Sequence, residues 1–236
     1  MKTRNCNFLN IKYGFTLAEV LITLVIIGVI AAMTIPSVIN NTKKHEYVSG
    51  LKKAYSTLKS ATNQIMVEEG SPRGDAGGWA LYPQGVYNLY KNHLSIAKDC
   101  GNGRGCVDQL STHGTGHVNG FKALSGNSYA GNNCELDTGF YKFILADGTQ
   151  VIINDGSYPA CDHGSTNTGS YGMCSAIFVD VNGEKGPNTW GRDVFYFAIK
   201  EDGLHPGGCD LISSCSKSGQ GVGCACKVIR ENAMNY

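Results

Sequence analysis

One carboxylate, that of Glu19, lies near the start of an otherwise apolar stretch. Across residues 15–35 the only other polar side chains are the hydroxyls of Thr16, Thr23 and Thr34. A helix of this length is about 30 Å long, which is the thickness of the hydrocarbon core of a bilayer. Placing a carboxylate in the hydrocarbon core costs free energy unless the carboxylate finds a partner. We therefore interpret Glu19 as a functional residue.

Charge and cysteine usage predict on which side of a membrane the rest of the chain lies. Lys2, Arg4 and Lys12 precede the apolar stretch and no acid does, whereas the chain from Phe15 onward has a formal charge of −2. The basic end should stay cytoplasmic, which exports the C-terminal bulk. Nine of the ten cysteines lie at or beyond Cys100, where export would preserve disulfides. This charge balance does not indicate nucleic-acid binding.

The residues before and within the apolar stretch form a specific motif. Residues 12–21 read KYGFTLAEVL, and the candidate cleavage site, between Gly14 and Phe15, precedes the apolar stretch instead of following it as in secretory signals. The motif resembles the class III signal of type IV pilins and type II secretion pseudopilins. The resemblance implies that a prepilin peptidase cuts after Gly14 and methylates Phe15. Glu19 is then the fifth mature residue, as in the family, and Pro36 matches its recurrent helix kink.

Cleavage would give Glu19 a possible partner. It creates a positive α-amino group on Phe15 at the membrane edge, and pairing two buried charges offsets much of the cost of burying each one. The resemblance implies that Glu19 pairs with the N-terminus of a neighbouring subunit and sets the axial register of assembly. The alternative is that Glu19 only complements the dipole of its own helix.

The helix is predicted to continue beyond the membrane. After Pro36, apolar residues recur at helical spacing from Val48 to Ile65, and Gly70 with the residues that follow it should end the helix. A helix over residues 15–69 would be roughly 80 Å long, and we expect Pro36 to kink it.

Four regions follow from this pattern. They are a cleaved cytoplasmic leader over residues 1–14, a transmembrane and assembly helix over 15–36, its amphipathic continuation over 37–70 and an exported globular domain over 71–236. We expect a single-pass protein of the inner membrane whose C-terminal domain is periplasmic or extracellular.

The exported part is predicted to be a mixed α+β domain. A second helix is expected over residues 83–98, and a long irregular excursion over 108–138. Asp147-Gly148 joins two apolar runs and predicts a two-residue hairpin. The expected strands are 139–146, 149–154, 175–181 and 193–200. The fold class is therefore a long N-terminal helix packed on an antiparallel sheet of about four strands, with a disulfide-stapled C-terminal loop region, as in pilins.

Nine exported cysteines are the disulfide candidates. Cys100 and Cys106 are placed to close a small loop, and Cys224 and Cys226 should reach different partners because one residue separates them. Four bridges would leave one thiol over, and spacing does not fix the connectivity. A zinc site in the tail is the alternative. The candidates are Cys100, Cys106, Cys134, Cys161, Cys174, Cys209, Cys215, Cys224 and Cys226.

A second stretch resembles the same family. Residues 180–195 read DVNGEKGPNTWGRDVF, similar to a loop of pseudopilin-like exported domains. Major pseudopilins bind calcium near the corresponding position, so the resemblance implies Asp180, Asn182 and Asp193 as candidate Ca²⁺ ligands with hard oxygen atoms. The alternative is that Asn182-Gly183 is a turn and that Asp193 caps a backbone amide. No other cofactor is expected.

The function predicted from these features is structural. The six histidines are scattered and no nucleophile has a recognisable base, so we expect no enzyme. We expect a subunit of a type II secretion pseudopilus or type IV pilus that polymerises through its N-terminal helix. Its partners would be further copies or other pilin-like subunits in a helical filament, a prepilin peptidase, and an inner-membrane assembly platform with its ATPase. The alternative is a membrane-anchored exported binding or adhesion domain that does not polymerise.

Overall fold

The computed structural model describes residues 14–73, 83–103, 105–106, 121–126, 140–153, 158, 160–165, 168–183, 185–211 and 215–236. The predicted leader and most of the predicted 108–138 excursion lie outside the described residues. The chain divides into two compact units, Met1–Lys43 and Lys44–Tyr236.

A single helix, α1, spans Leu17–Glu69 and contains Pro36. In the first unit its apolar side chains are exposed, from Leu17 at 81% to Ile39 at 47%. This part of the helix is long and apolar enough to cross a membrane. The helix ends where the sequence predicts, because Gly70 takes a left-handed conformation (φ 82°) that glycine adopts without strain.

The part of α1 in the second unit buries one face, as its periodicity predicts. Tyr55 lies beside this face and stacks on Phe197 of the sheet, with ring centroids 5.7 Å apart. Burial of such a stripe is the main source of helix stability in a folded domain. The buried residues are Tyr47, Val48, Leu51, Ala54, Leu58, Ala61, Thr62 and Ile65.

The sheet is antiparallel throughout and follows the order β1-β2-β3-β5-β6-β7, with β4 paired to the first part of β5. Alternate residues of its strands enter two cores, because successive side chains point to opposite faces. In β6, Phe195 and Phe197 join the core that contains α1. Val194 and Tyr196 join the second core on the other face. The strands are β1 (Ile96–Gly101), β2 (Tyr141–Leu145), β3 (Gln150–Ile153), β4 (His163–Ser165), β5 (Ser170–Asp180), β6 (Val194–Lys200) and β7 (Gly203–Pro206).

The predicted fold class is confirmed, and three local predictions need correction. The four expected strands are β2, β3, β5 and β6, but β1, β4 and β7 were not predicted. Helix α2 (Pro83–His93) ends five residues before the predicted end at Lys98, because pairing with β2 draws residues 96–101 into β1. The β2–β3 turn is closed by the Gly148 amide donating to the Leu145 carbonyl, so its central residues are Ala146 and Asp147.

The C-terminal tail is more ordered than the predicted loop region. After a 3₁₀ turn (Val222–Cys224), helix α3 spans Ala225–Glu231, and its buried Val228 joins the α1-side core. A helix of seven residues is marginal by itself and depends on this packing. Such a short element gives little periodic signal in the sequence.

The ends of α1 and α2 are joined by His93. Its Nδ1 lies 2.7 Å from the Leu89 carbonyl oxygen, and its Nε2 lies 3.0 Å from a carboxylate oxygen of Glu68. Both partner atoms only accept hydrogen bonds, so the imidazolium alone donates to both. The Leu89 bond and the Glu68 charge raise the pKa of His93 above its ordinary 6.5.

We therefore predict that this contact weakens at alkaline pH. A histidine whose pKa is raised by folding stabilises the fold fully below 6.5 and loses that contribution as pH rises through the folded pKa. Between pH 6 and pH 8.5, the melting temperature of the full chain in detergent should fall. The fall should be larger in the wild type than in Glu68→Gln, which lacks the carboxylate partner of His93. The pKa of His93, followed by NMR, should drop more in Glu68→Gln than in the control Glu69→Gln. Equal values in both variants would contradict the contact.

Candidate functional site

The predicted cleavage site is open. Gly14 and Phe15 precede α1 in a non-helical segment, and Phe15 is 90% exposed. A peptidase needs a scissile bond that is outside regular secondary structure and within reach. The geometry at Gly14-Phe15 meets both conditions.

Glu19 and Thr16 form a capping box at the start of α1. One carboxylate oxygen of Glu19 accepts hydrogen bonds from the Thr16 amide (2.8 Å) and the Thr16 hydroxyl (2.9 Å). The Glu19 amide donates in return to the Thr16 hydroxyl oxygen at 3.3 Å. The reciprocal bonds satisfy amides that the first helical turn leaves without partners. In the uncleaved chain the Glu19 carboxylate therefore binds at Thr16, one residue after Phe15. Cleavage would convert the backbone nitrogen of Phe15 to an amine.

The second candidate site is the connection between β5 and β6, residues 181–193, which together with Asp180 we call the carboxylate loop. Asp180 and Asp193 are 2% and 0% exposed. Loss of hydration, reinforced by the charge of Asp193, raises the pKa of Asp180 to about 8. Loss of hydration also raises the pKa of Asp193.

Backbone amides partly compensate both carboxylates. Asp193 accepts bonds from the amides of Asn188 (2.8 Å) and Thr189 (2.6 Å), and Asp180 accepts one from the Asn182 amide at 3.2 Å. The amide-capping role weighed for Asp193 is thus present. Gly183 is left-handed (φ 67°), as expected for a turn at Asn182-Gly183. These bonds do not offset the cost of burying the two carboxylates, because both pKa values remain raised.

Two further oxygen atoms in the loop are buried without a hydrogen bond. They are the Oδ1 atoms of Asn182 and Asn188. A buried polar atom without a partner is rare and calls for an explanation such as an ion. Two carboxylates and two amide oxygens are hard-oxygen donors of the kind that Ca²⁺ prefers, so the residues fit the ion in the chemistry of their donor atoms. Among the described residues, no three His, Cys, Asp or Glu side chains form a cluster. A cation at this loop would therefore also need amide or carbonyl oxygens as ligands.

The carboxylate loop is held from two other parts of the chain. The Lys122 amide donates to the Asn188 carbonyl and the Trp190 amide donates to the Lys122 carbonyl, each at 2.9 Å. From the tail, the Tyr236 hydroxyl donates to the Gly191 carbonyl. The loop is therefore a fixed part of the fold within the described residues.

Within the described residues, four disulfides pair eight of the nine cysteines that lie at or beyond Cys100. Cys100 pairs with Cys106 as predicted, and Cys224 and Cys226 reach Cys215 and Cys209, so the prediction of different partners is confirmed. The fourth bridge joins Cys161 and Cys174. The zinc alternative for the tail is wrong, because zinc requires thiolates and these sulfurs are oxidised. The ninth cysteine, Cys134, lies outside the described residues.

Comparison with known proteins identifies the N-terminal segment. A model of the prokaryotic N-terminal methylation motif matches residues 9–35. This motif is the signature of type IV pilins and pseudopilins, so the chain carries a pilin-type N-terminus. No curated protein and no solved structure matches the chain.

The motif defines the class of protein in general terms. It indicates a structural protein of pilin-like type, with pilin-like subunits and a prepilin peptidase as its partners. Together with the apolar start of α1, it fits a membrane-anchored and exported pilin.

Sequence reasoning located the N-terminal motif and the carboxylate loop but missed parts of both. Thr16 was noted only as a hydroxyl, although the spacing Thr-x-x-Glu before an apolar run is the sequence pattern of a capping box. Asn188 was not proposed as an oxygen donor. Its contribution depends on burial of the loop, for which the sequence carries no local signal.

The raised pKa of Asp180 predicts an effect of pH in the absence of divalent cations. The folded state favours the protonated acid, so stability is greatest below the ordinary pKa of 3.8 and is lost as pH rises toward about 8. Asp180→Asn removes this cost. In EDTA at pH 8.5 the variant should melt about 4 °C or more above the wild type, the effect of roughly 1–2 kcal/mol in a domain of this size. Exposed Asp162→Asn is the control, and no gain in Asp180→Asn would contradict the burial of a charged carboxylate.

Proposed function

We propose that this protein is a structural subunit that polymerises through α1 after prepilin peptidase removes residues 1–14. The observation that carries the proposal is the methylation motif over residues 9–35, placed on a helix whose apolar side chains are exposed. Such a helix needs an apolar environment. A bilayer supplies it before assembly, and the helices of neighbouring subunits supply it inside a filament.

In this proposal Glu19 changes partner on cleavage. Before cleavage its carboxylate binds the amide and hydroxyl of Thr16. Cleavage places a cationic amine on Phe15, and the carboxylate can pair with the amine of a neighbouring subunit at the filament axis. An ion pair in an apolar core is strongly favoured over either charge alone, which fixes the axial register of each added subunit.

Two filament systems are compatible with these features. The carboxylate loop favours a type II secretion pseudopilus, in which the subunit would form a short periplasmic piston. The disulfide-stapled tail favours a type IV pilus. In either system a separate inner-membrane platform and its ATPase would drive extraction from the bilayer.

Substitutions of Glu19 test whether assembly requires its negative charge or only its capping of helix α1. Gln at this position retains a capping box, whereas Ala removes it. If Glu19 pairs with a neighbouring amine, Glu19→Gln and Glu19→Ala should both lose at least about 90% of assembled filaments, since an uncompensated buried amine costs several kcal/mol. Sheared filament yield at equal membrane expression is the measurement. Filaments at wild-type level in Glu19→Gln would show that only the cap is required.

The same experiment separates the polymer from an anchored binding domain that never assembles. For such a domain, all Glu19 variants should be membrane-bound and indistinguishable from the wild type. Mass spectrometry of the mature protein supplies the control for processing: it should begin at an N-methylated Phe15. An intact Met1 on the mature protein would contradict the whole proposal.

We further propose that the carboxylate loop binds Ca²⁺ through Asp180, Asn182, Asn188 and Asp193. The bound cation would neutralise the two buried carboxylates and supply a partner for the two amide oxygens. Its contribution would be structural, since it joins the end of β5 to the start of β6.

Calcium should therefore stabilise the wild type and not a variant that lacks one carboxylate. At a concentration about 100-fold above Kd, a ligand adds roughly 2.7 kcal/mol, or about 5–10 °C in a domain of this size. Thermal melting of the full chain in detergent, with Ca²⁺ or EDTA, should show this rise for the wild type and for Asp162→Asn. Asp180→Asn should show none. An equal rise in Asp180→Asn would place the cation elsewhere, and no rise in the wild type would overturn the calcium role.

A further inference from the structure

Helix α1 enters the second unit directly against the carboxylate loop. Tyr47 is 7% exposed, and the charge of Asp193 contributes, after burial, to a raised pKa of its hydroxyl. The charge of Asp180 acts on Tyr47 in the same direction. The positive charge of Arg192 in the same loop acts on Tyr47 in the opposite direction.

Helix α1 approaches the loop closely at Gly50. A Cβ atom on Gly50 would lie 3.1 Å from Val181 Cβ and 3.3 Å from Val181 Cγ2, closer than ordinary van der Waals contact. Val181 lies between Asp180 and Asn182 in the chain, so a displacement of Val181 would move a candidate ligand on either side. Glycine in a helix interior costs up to about 1 kcal/mol relative to alanine. The close contact gives a reason for glycine at this position.

We propose that the segment of α1 from Tyr47 to Gly50 packs against the carboxylate loop and holds the cation site in position. Cation binding and the packing of α1 on the sheet are then coupled. This inference rests on the proposed calcium role and adds to it. Gly50 and Tyr47 are positioning residues, because neither supplies a ligand atom in the proposed set. Their function is to hold Val181 and the loop carboxylates where an ion can bind them.

The coupling has a direct consequence for the proposed assembly. Tyr47 and Gly50 lie at the start of the second unit, where α1 emerges from its exposed apolar part. A cation in the carboxylate loop would fasten the sheet to this segment of α1. Loss of the cation would loosen the helix at this point first, while the packing of Leu58 and Ile65 on the sheet would be unaffected.

Hydrogen exchange of the wild type tests the coupling without any substitution. With Ca²⁺ in place of EDTA, the full chain in detergent should show slower amide exchange in the loop, over residues 185–194, and also in α1 over residues 47–51. Residues 58–65 of the same helix are the internal control and should not change. Slower exchange in the loop alone would overturn the coupling and leave the calcium role standing.

Substitution of Gly50 tests the same coupling through affinity. Gly50→Ala and Gly50→Leu should weaken Ca²⁺ binding, measured by calorimetry, by about tenfold or more, as typically found for groups that orient metal ligands. Gly28→Ala is the matched control, because it gains the same helix propensity in α1 and its added Cβ meets nothing within 4 Å. Equal Ca²⁺ affinity in the wild type and Gly50→Ala would overturn the coupling. A wild type that binds no Ca²⁺ would overturn the calcium role together with the coupling.

Discussion

The apolar part of α1 must be kept from water by something outside its own domain. Its side chains between Phe15 and Ile39 are exposed within the described structure. Burial of apolar surface contributes about 25 cal/mol per Å², so an exposed stretch of this length cannot be stable in water. A bilayer fits a 53-residue helix that is apolar along its first part, and the proposed filament would supply a second apolar environment.

The carboxylate of Glu19 makes a local contact with atoms that the proposed assembly contact would also use. In the uncleaved chain one oxygen of this carboxylate is hydrogen-bonded by the amide and hydroxyl of Thr16, which carry no charge. In the proposed processing, removal of the leader would add a positive charge next to this contact.

In the carboxylate loop, burial opposes the chemistry of the residues. Two acids with raised pKa values and two amide oxygens without hydrogen bonds lie in a loop that is held by the tail and by Lys122. A fold maintains such an arrangement only if the surrounding structure compensates it or if a ligand does. The carboxylate loop differs in this respect from the exposed ion pairs of the domain, such as Lys53–Asp147, which involve no comparable burial.

The sequence alone determined the features that depend on local pattern. The spacing of Gly14, Phe15 and Glu19 marks the processing motif, the period of Val48 to Ile65 sets the buried face of α1, and Asp147-Gly148 marks the hairpin. Tertiary structure decided the features that depend on distant partners. Residues 96–101 become a strand because β2 offers them hydrogen bonds, the cysteines pair according to where the tail packs, and the Asn188 oxygen is enclosed because the loop is buried. Local pattern carries no information about partners far along the chain, and burial is a property of the whole fold.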